Sequence, residues 1–101
     1  MSIPRQITVM GDKIAIKQSS KEIASFEDKD HEVLGLAFIL EDLIWLKKDL
    51  PPKSKPKVLV HEITHIAMHK NGIDQYLTRE QQEIICQMVS QLYFELKRQG
   101  I

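Results

Sequence analysis

The sequence predicts an α+β fold: a small N-terminal antiparallel sheet built from two β-hairpins, then a helix carrying a reactive motif, then a C-terminal helix. Three observations carry that prediction. Short apolar runs of strand length, bounded by turn residues, fill the first half of the chain. After Pro56 the apolar residues switch to helical spacing. The chain has 101 residues, enough for one compact domain and too few for two, so residues 1–101 are expected to form a single domain.

The elements follow in order. Ile7 to Met10 and Lys13 to Lys17 read as strands, and Gly11-Asp12 between them supplies turn chemistry for a hairpin. Gln18 to Asp30 is polar, with Ile23 and Phe26 as its only sizeable apolar residues, and suits a loop or a short helix equally. Leu34 to Leu40 and Leu43 to Leu46 are apolar runs separated by Glu41-Asp42, a second hairpin. Three prolines and several lysines between Asp49 and Lys57 mark a connecting loop, expected to be solvated. Leu59, Ile63, Ile66 and Ala67 then keep helical spacing within a helix expected over Val58 to Lys70, and Asn71-Gly72 stops it. Thr78 with Gln81 three residues on forms a capping-box signature for a helix running to about Arg98, with an apolar stripe of Ile85, Val89, Leu92 and Leu96.

Composition excludes several classes of function. Lys plus Arg and Asp plus Glu both number 14, so there is no electrostatic footprint for nucleic acid or an anionic membrane. No apolar run is long enough to span a bilayer. The start of the chain lacks the pattern of a secretion signal, and one cysteine, Cys86, cannot form an internal disulfide, so a reducing cytoplasm is the expected location. Cys86 reads as a buried filler near the apolar stripe of its helix, and Trp45 as a core or rim aromatic.

The chemistry lies in His61-Glu62-Ile63-Thr64-His65. Histidines four apart on a helix stand on one face, a turn apart, where both imidazoles can grip one Zn²⁺. Leu59, Ile63 and Ile66 lie nearly opposite, so the apolar side can pack on a sheet while the imidazoles face a cleft. Glu62 is placed to act as a general base on a water made reactive by the metal. A hydrolytic zinc site takes a third protein ligand. Glu83 and Glu80, both in the first turns of the second helix, are the leading candidates. His69 is weaker, because a straight helix does not easily bring three successive turns to one small ion, and it reads instead as a supporting, substrate-contacting or helix-end residue.

From Val58 onward the chain resembles small phage and bacterial zinc metallopeptidase-like proteins, minimal gluzincins akin to the ImmA/IrrE-type peptidases. The matching residues run from Val58 to His69 and from Glu83 to Tyr93. The resemblance implies a small sheet ahead of the motif helix and a glutamate near the start of the next helix as third ligand, which favours Glu83 over Glu80. It implies a zinc metallopeptidase that hydrolyses a peptide or protein substrate, with His61, His65 and Glu83 as ligands and Glu62 as the catalytic base. An oxyanion-stabilising donor is also expected, with His69 or Tyr76 as candidates. The segment Leu34 to Leu40 could receive an extended peptide by strand addition. The competing reading is a zinc-binding regulatory or interaction module of phage or prophage origin, without significant catalysis. A homodimer through the second helix, whose end carries Tyr93, Phe94 and Leu96 on more than one face, is a further expectation.

Overall fold

The chain first reverses at Met10-Gly11, where both residues take left-handed backbone angles (φ 48° and 87°). In this computed structural model, which describes residues 3–28 and 32–101, that two-residue loop joins β1 (Gln6–Val9) to β2 (Asp12–Gln18) with Val9 opposite Asp12. Two positive φ values match the right-handed twist of the strands, and glycine supplies one of them without steric cost. The turn therefore falls one residue earlier than the Gly11-Asp12 expected from composition.

Ser19 caps the short α1 (Ser20–Ala24), its hydroxyl accepting from the Glu22 N–H. This settles the polar segment as a helix at its start, while its end, residues 29–30, lies outside the described residues. Ile23 is wholly buried. Strands β3 (Gly35–Phe38) and β4 (Leu43–Leu46) form the second hairpin. They are joined by a 3₁₀ turn at Ile39–Glu41 and a left-handed Asp42, which takes up the last residues of the expected Leu34 to Leu40 strand.

The sheet order is β1-β2-β4-β3. Both hairpins are antiparallel, but they join through a parallel β2–β4 pair in which Ile16 stands opposite Ile44. The sheet is thus mixed, because the chain passes through α1 and returns β4, not β3, to the side of β2. Strand β3 is left at the edge.

One face of the sheet presents Val9, Ile14, Ile16, Ile44 and Leu46 to Leu59 and Ile66 of α2 (Lys55–Lys70). Each such aliphatic side chain removed from water contributes about 1.5–3 kcal/mol. Pro56 stands in the first turn of α2, where its missing N–H leaves no helical bond unmade. Gly72, left-handed at φ 82°, ends the helix, while Asn71 stays out of that region. Lys70 near this end donates to Asp12 (2.6 Å) and Asp42 (3.0 Å), so one ammonium ties the helix to both hairpin turns.

Thr78 caps α3 (Arg79–Arg98) with both bonds of a capping box in place. The face of α3 turned to α2 is not the full expected stripe. Cys86 and Ser90 are its buried residues, whereas Leu92 and Leu96 remain 48% and 45% exposed. Small side chains at this crossing let the helices approach, and the Ser90 hydroxyl donates to the Lys57 carbonyl (2.8 Å). Among the described residues no helix is long and apolar enough to cross a membrane.

Gly35 lies on the core face of β3, opposite Leu46. A Cβ there would stand 2.7 Å from Val58 Cγ1 and 3.2 Å from Glu62 Cγ. Val58 is β-branched and cannot rotate aside freely. Gly35→Ala is therefore expected to lower unfolding stability by about 1–3 kcal/mol, measured as a fall in the urea midpoint at unchanged slope.

Candidate metal centre

Helix α2 turns its His61 and His65 side toward α3, away from the Leu59 and Ile66 side that packs on the sheet. The two imidazoles lie edge to face, with centroids 5.3 Å apart. One group closes on both: the Glu83 carboxylate, with Oε2 3.0 Å from His61 Nε2 and Oε1 2.7 Å from His65 Nε2. Glu83 sits in the second turn of α3, so the Thr78 cap and the helix crossing together fix its position.

The electrostatics of the two motif-associated carboxylates diverge. Glu62, 8% exposed, has its pKa raised to about 7, first by burial and then by the nearby charge of Glu83. Burial pushes Glu83 up as well, but the hydrogen bond from His61 and the charges of His65 and His61 outweigh it, leaving its pKa below the ordinary value. Glu62 is held against the sheet edge: its Cγ is the atom a Cβ on Gly35 would meet after Val58.

Three electron-pair donors thus converge, and the space among them calls for positive charge. A divalent cation suits the same place, because two imidazoles and a carboxylate form a donor set that zinc accepts. A fourth donor is close at hand. Cys86 is fully buried, and its Sγ lies with the donor nitrogens of His61 and His65 in one cluster whose atoms are all within 4.8 Å of one another. Burial, then the charges of Glu83 and Glu62, push its thiol up to about 12.

The other sequence candidates fall elsewhere. His69 Nδ1 is 2.7 Å from Asp74 Oδ2, so its ring is engaged at the 3₁₀ turn after α2. Tyr76 is 81% exposed. Glu80 lines, with His61, Glu83, Ile84 and Met88, a shallow depression of about 500 Å³ that opens beside the imidazoles along α3. Trp45 is half-buried, with the Lys17 ammonium 5.6 Å from its ring centre. Sequence reasoning overlooked Cys86 as a neighbour of the histidines and Gly35 as the residue that admits Glu62. The Cys86 signal was present, since a residue three after Glu83 shares its helix face.

A histidine pair one turn apart, a carboxylate reaching it from the next helix and a sheet edge beside the motif glutamate define a metallopeptidase-like protein. The family model described as IrrE N-terminal-like domain (Peptidase_M78) matches residues 10–89, and the chain belongs to that family. No curated protein and no solved structure gives a match.

Glu62 makes a pH prediction for the metal-free protein. Its folded pKa of about 7 lies above the ordinary 4.5, so the native state holds the proton more tightly than the unfolded chain. Stability then falls as pH rises from about 4.5 to 7, and the whole penalty is present above 7. Glu62→Gln removes the titration while keeping the shape. Relative to the parent protein it should gain up to about 3 kcal/mol at pH 8, with the difference fading below pH 4.5 in urea unfolding.

Proposed function

We propose that this protein is a zinc-dependent metallopeptidase of the gluzincin type. Residues 1–101 would act as one domain, with His61, His65 and Glu83 as metal ligands and Glu62 as the general base. The observation that carries the reading is the Glu83 carboxylate, within 3.0 Å of both imidazoles. The substrate would be a peptide or protein, and the setting cytoplasmic.

When bound, zinc supplies the Lewis acidity that makes a water nucleophilic near neutral pH and polarises the scissile carbonyl. The remaining work falls to the chain. Histidine and carboxylate donors from two helices fix the cation's position. Glu62 accepts the proton of the attacking water as oxygen adds to the carbonyl carbon. It then delivers that proton to the departing amine as the C–N bond breaks. Burial against the sheet edge favours the protonated form of Glu62 that has to persist between the two transfers. The edge strand β3 passes close to Glu62, and an extended peptide adding to that strand would run past the site.

The alternative is a zinc-binding regulatory module without significant catalysis. The shallowness of the depression at His61 favours it, since a short-walled site holds a substrate weakly. A casein or peptide-library assay separates the two. The peptidase reading expects cleavage that a chelator abolishes and zinc restores. Glu62→Gln should keep zinc by elemental analysis and lose about 10²–10⁴-fold in turnover. Glu83→Gln should lose zinc as well. Cleavage undiminished in Glu62→Gln would remove the base role, and zinc-loaded protein with no cleavage would favour the module.

A further inference from the structure

The site contains one more donor than a hydrolytic centre uses. Cys86 follows Glu83 by three residues on α3, and both face the His61–His65 pair of α2. Cys86 Sγ and the Glu83 carboxylate thus each come to the same two imidazoles, a pair spaced by three residues on one helix against a pair spaced by four on the other. Among the described residues no hydrogen bond or ion pair engages the Cys86 sulfur. It forms no disulfide, and it is fully buried at the helix crossing and not on the outer surface of α3.

We propose that the Cys86 thiolate is a fourth ligand to the ion held by His61, His65 and Glu83, closing the position that an attacking water would take. This rests on the metal reading of the site above. Zinc binds imidazole nitrogen at about 2.0 Å and thiolate sulfur at about 2.3 Å, which in a tetrahedron sets nitrogen and sulfur roughly 3.5 Å apart. The Cys86 sulfur and the donor nitrogens of His61 and His65 already lie within 4.8 Å of one another, so side-chain torsions of Cys86 and the histidines can cover the difference without moving a helix. Binding the ion releases the thiol proton to solvent, so charge balances as the S–H bond is exchanged for a metal–sulfur bond. Four protein donors are the mark of a closed zinc site, and three plus water of a hydrolytic one. Cys86 accordingly holds the centre in a resting state, and hydrolysis requires the sulfur to leave the ion.

Cobalt(II) substitution tests this without reference to activity. The cobalt-loaded protein should show an intense near-ultraviolet sulfur-to-cobalt charge-transfer band beside the visible d–d bands, and Cys86→Ala should lose the former and keep the latter. X-ray absorption of the unmutated zinc protein should independently show a scatterer at about 2.3 Å, the zinc–sulfur distance, which keeps the test decisive if the variant fails to fold. Cys86→Ala is further expected to bind zinc about tenfold or more weakly and, if the protein is a peptidase, to turn over faster than the parent. Visible d–d bands with no charge-transfer band, together with only nitrogen and oxygen scatterers, would overturn the Cys86 ligand and leave the three-ligand site standing. Absence of any cobalt or zinc binding would overturn both.

Discussion

The site depends on one contact made across two helices, the Glu83 carboxylate against the imidazoles of His61 and His65. Neither helix can form it alone. Spacing on α2 sets the two rings side by side, but a carboxylate half exposed to solvent reaches them only if α3 crosses close to α2 at the right height. Cys86 and Ser90 allow that approach because they are small, and the Ser90 hydroxyl fixes the height by donating to the Lys57 carbonyl in the first turn of α2. The loop between the helices then has little freedom. Gly72 ends the first and Thr78 starts the second, leaving a single 3₁₀ turn between.

The sheet enters the site through its edge. Strand β3 comes so close to α2 that only a glycine fits at position 35, and the atoms it makes room for belong to Val58 and Glu62. The same approach that shuts water away from Glu62 raises its pKa. Holding a carboxyl group there opposes folding at neutral pH, and the apolar contact between α2 and the sheet face has to outweigh it. Such local cost is common where a group is kept ready for chemistry and not for stability.

How much of this was legible in the sequence follows from the range of each interaction. Most helix limits were readable because their signals are local, Thr78 and Gln81 three apart and Gly72 after Lys70, but α2 starts at Lys55 and not at the expected Val58, since proline is tolerated within a first turn and Lys55 to Lys57 join the helix. Both hairpins were readable for the same reason, although the first turn slipped to Met10-Gly11, where the side chain of Met10 gives no hint of a left-handed backbone. The parallel pairing of β2 with β4 was not, because it is set by where the chain goes after α1 and no residue pattern encodes it. The buried face of α3 was read in part. Cys86 is buried as expected and Ile85 and Val89 of the expected stripe are half-buried, but Leu92 and Leu96 stay exposed and the Ser90 hydroxyl takes a place at the crossing. Close helix crossings select small residues, and small polar residues look like surface in a hydropathy reading.

The two glutamates show how one neighbourhood divides labour between identical functional groups. Glu62 and Glu83 lie near enough for the charge of one to raise the pKa of the other. Their surroundings then push them apart. Glu83 faces two imidazoles, which hold its pKa below the ordinary value, as the proposed ligand role requires. Glu62 faces the sheet edge, keeps its proton up to neutral pH and stands where a proton can be taken and returned. Opposed shifts in a pair of carboxyls suit the separate ligand and acid–base roles proposed for them. Here the division can be traced to two structural causes, the α2–α3 crossing for Glu83 and the glycine at the edge of β3 for Glu62. A cation among His61, His65 and Glu83 would add its own positive charge beside Glu62 and draw its proton affinity down, so the desolvation that raises it in the metal-free protein is what opposes the ion.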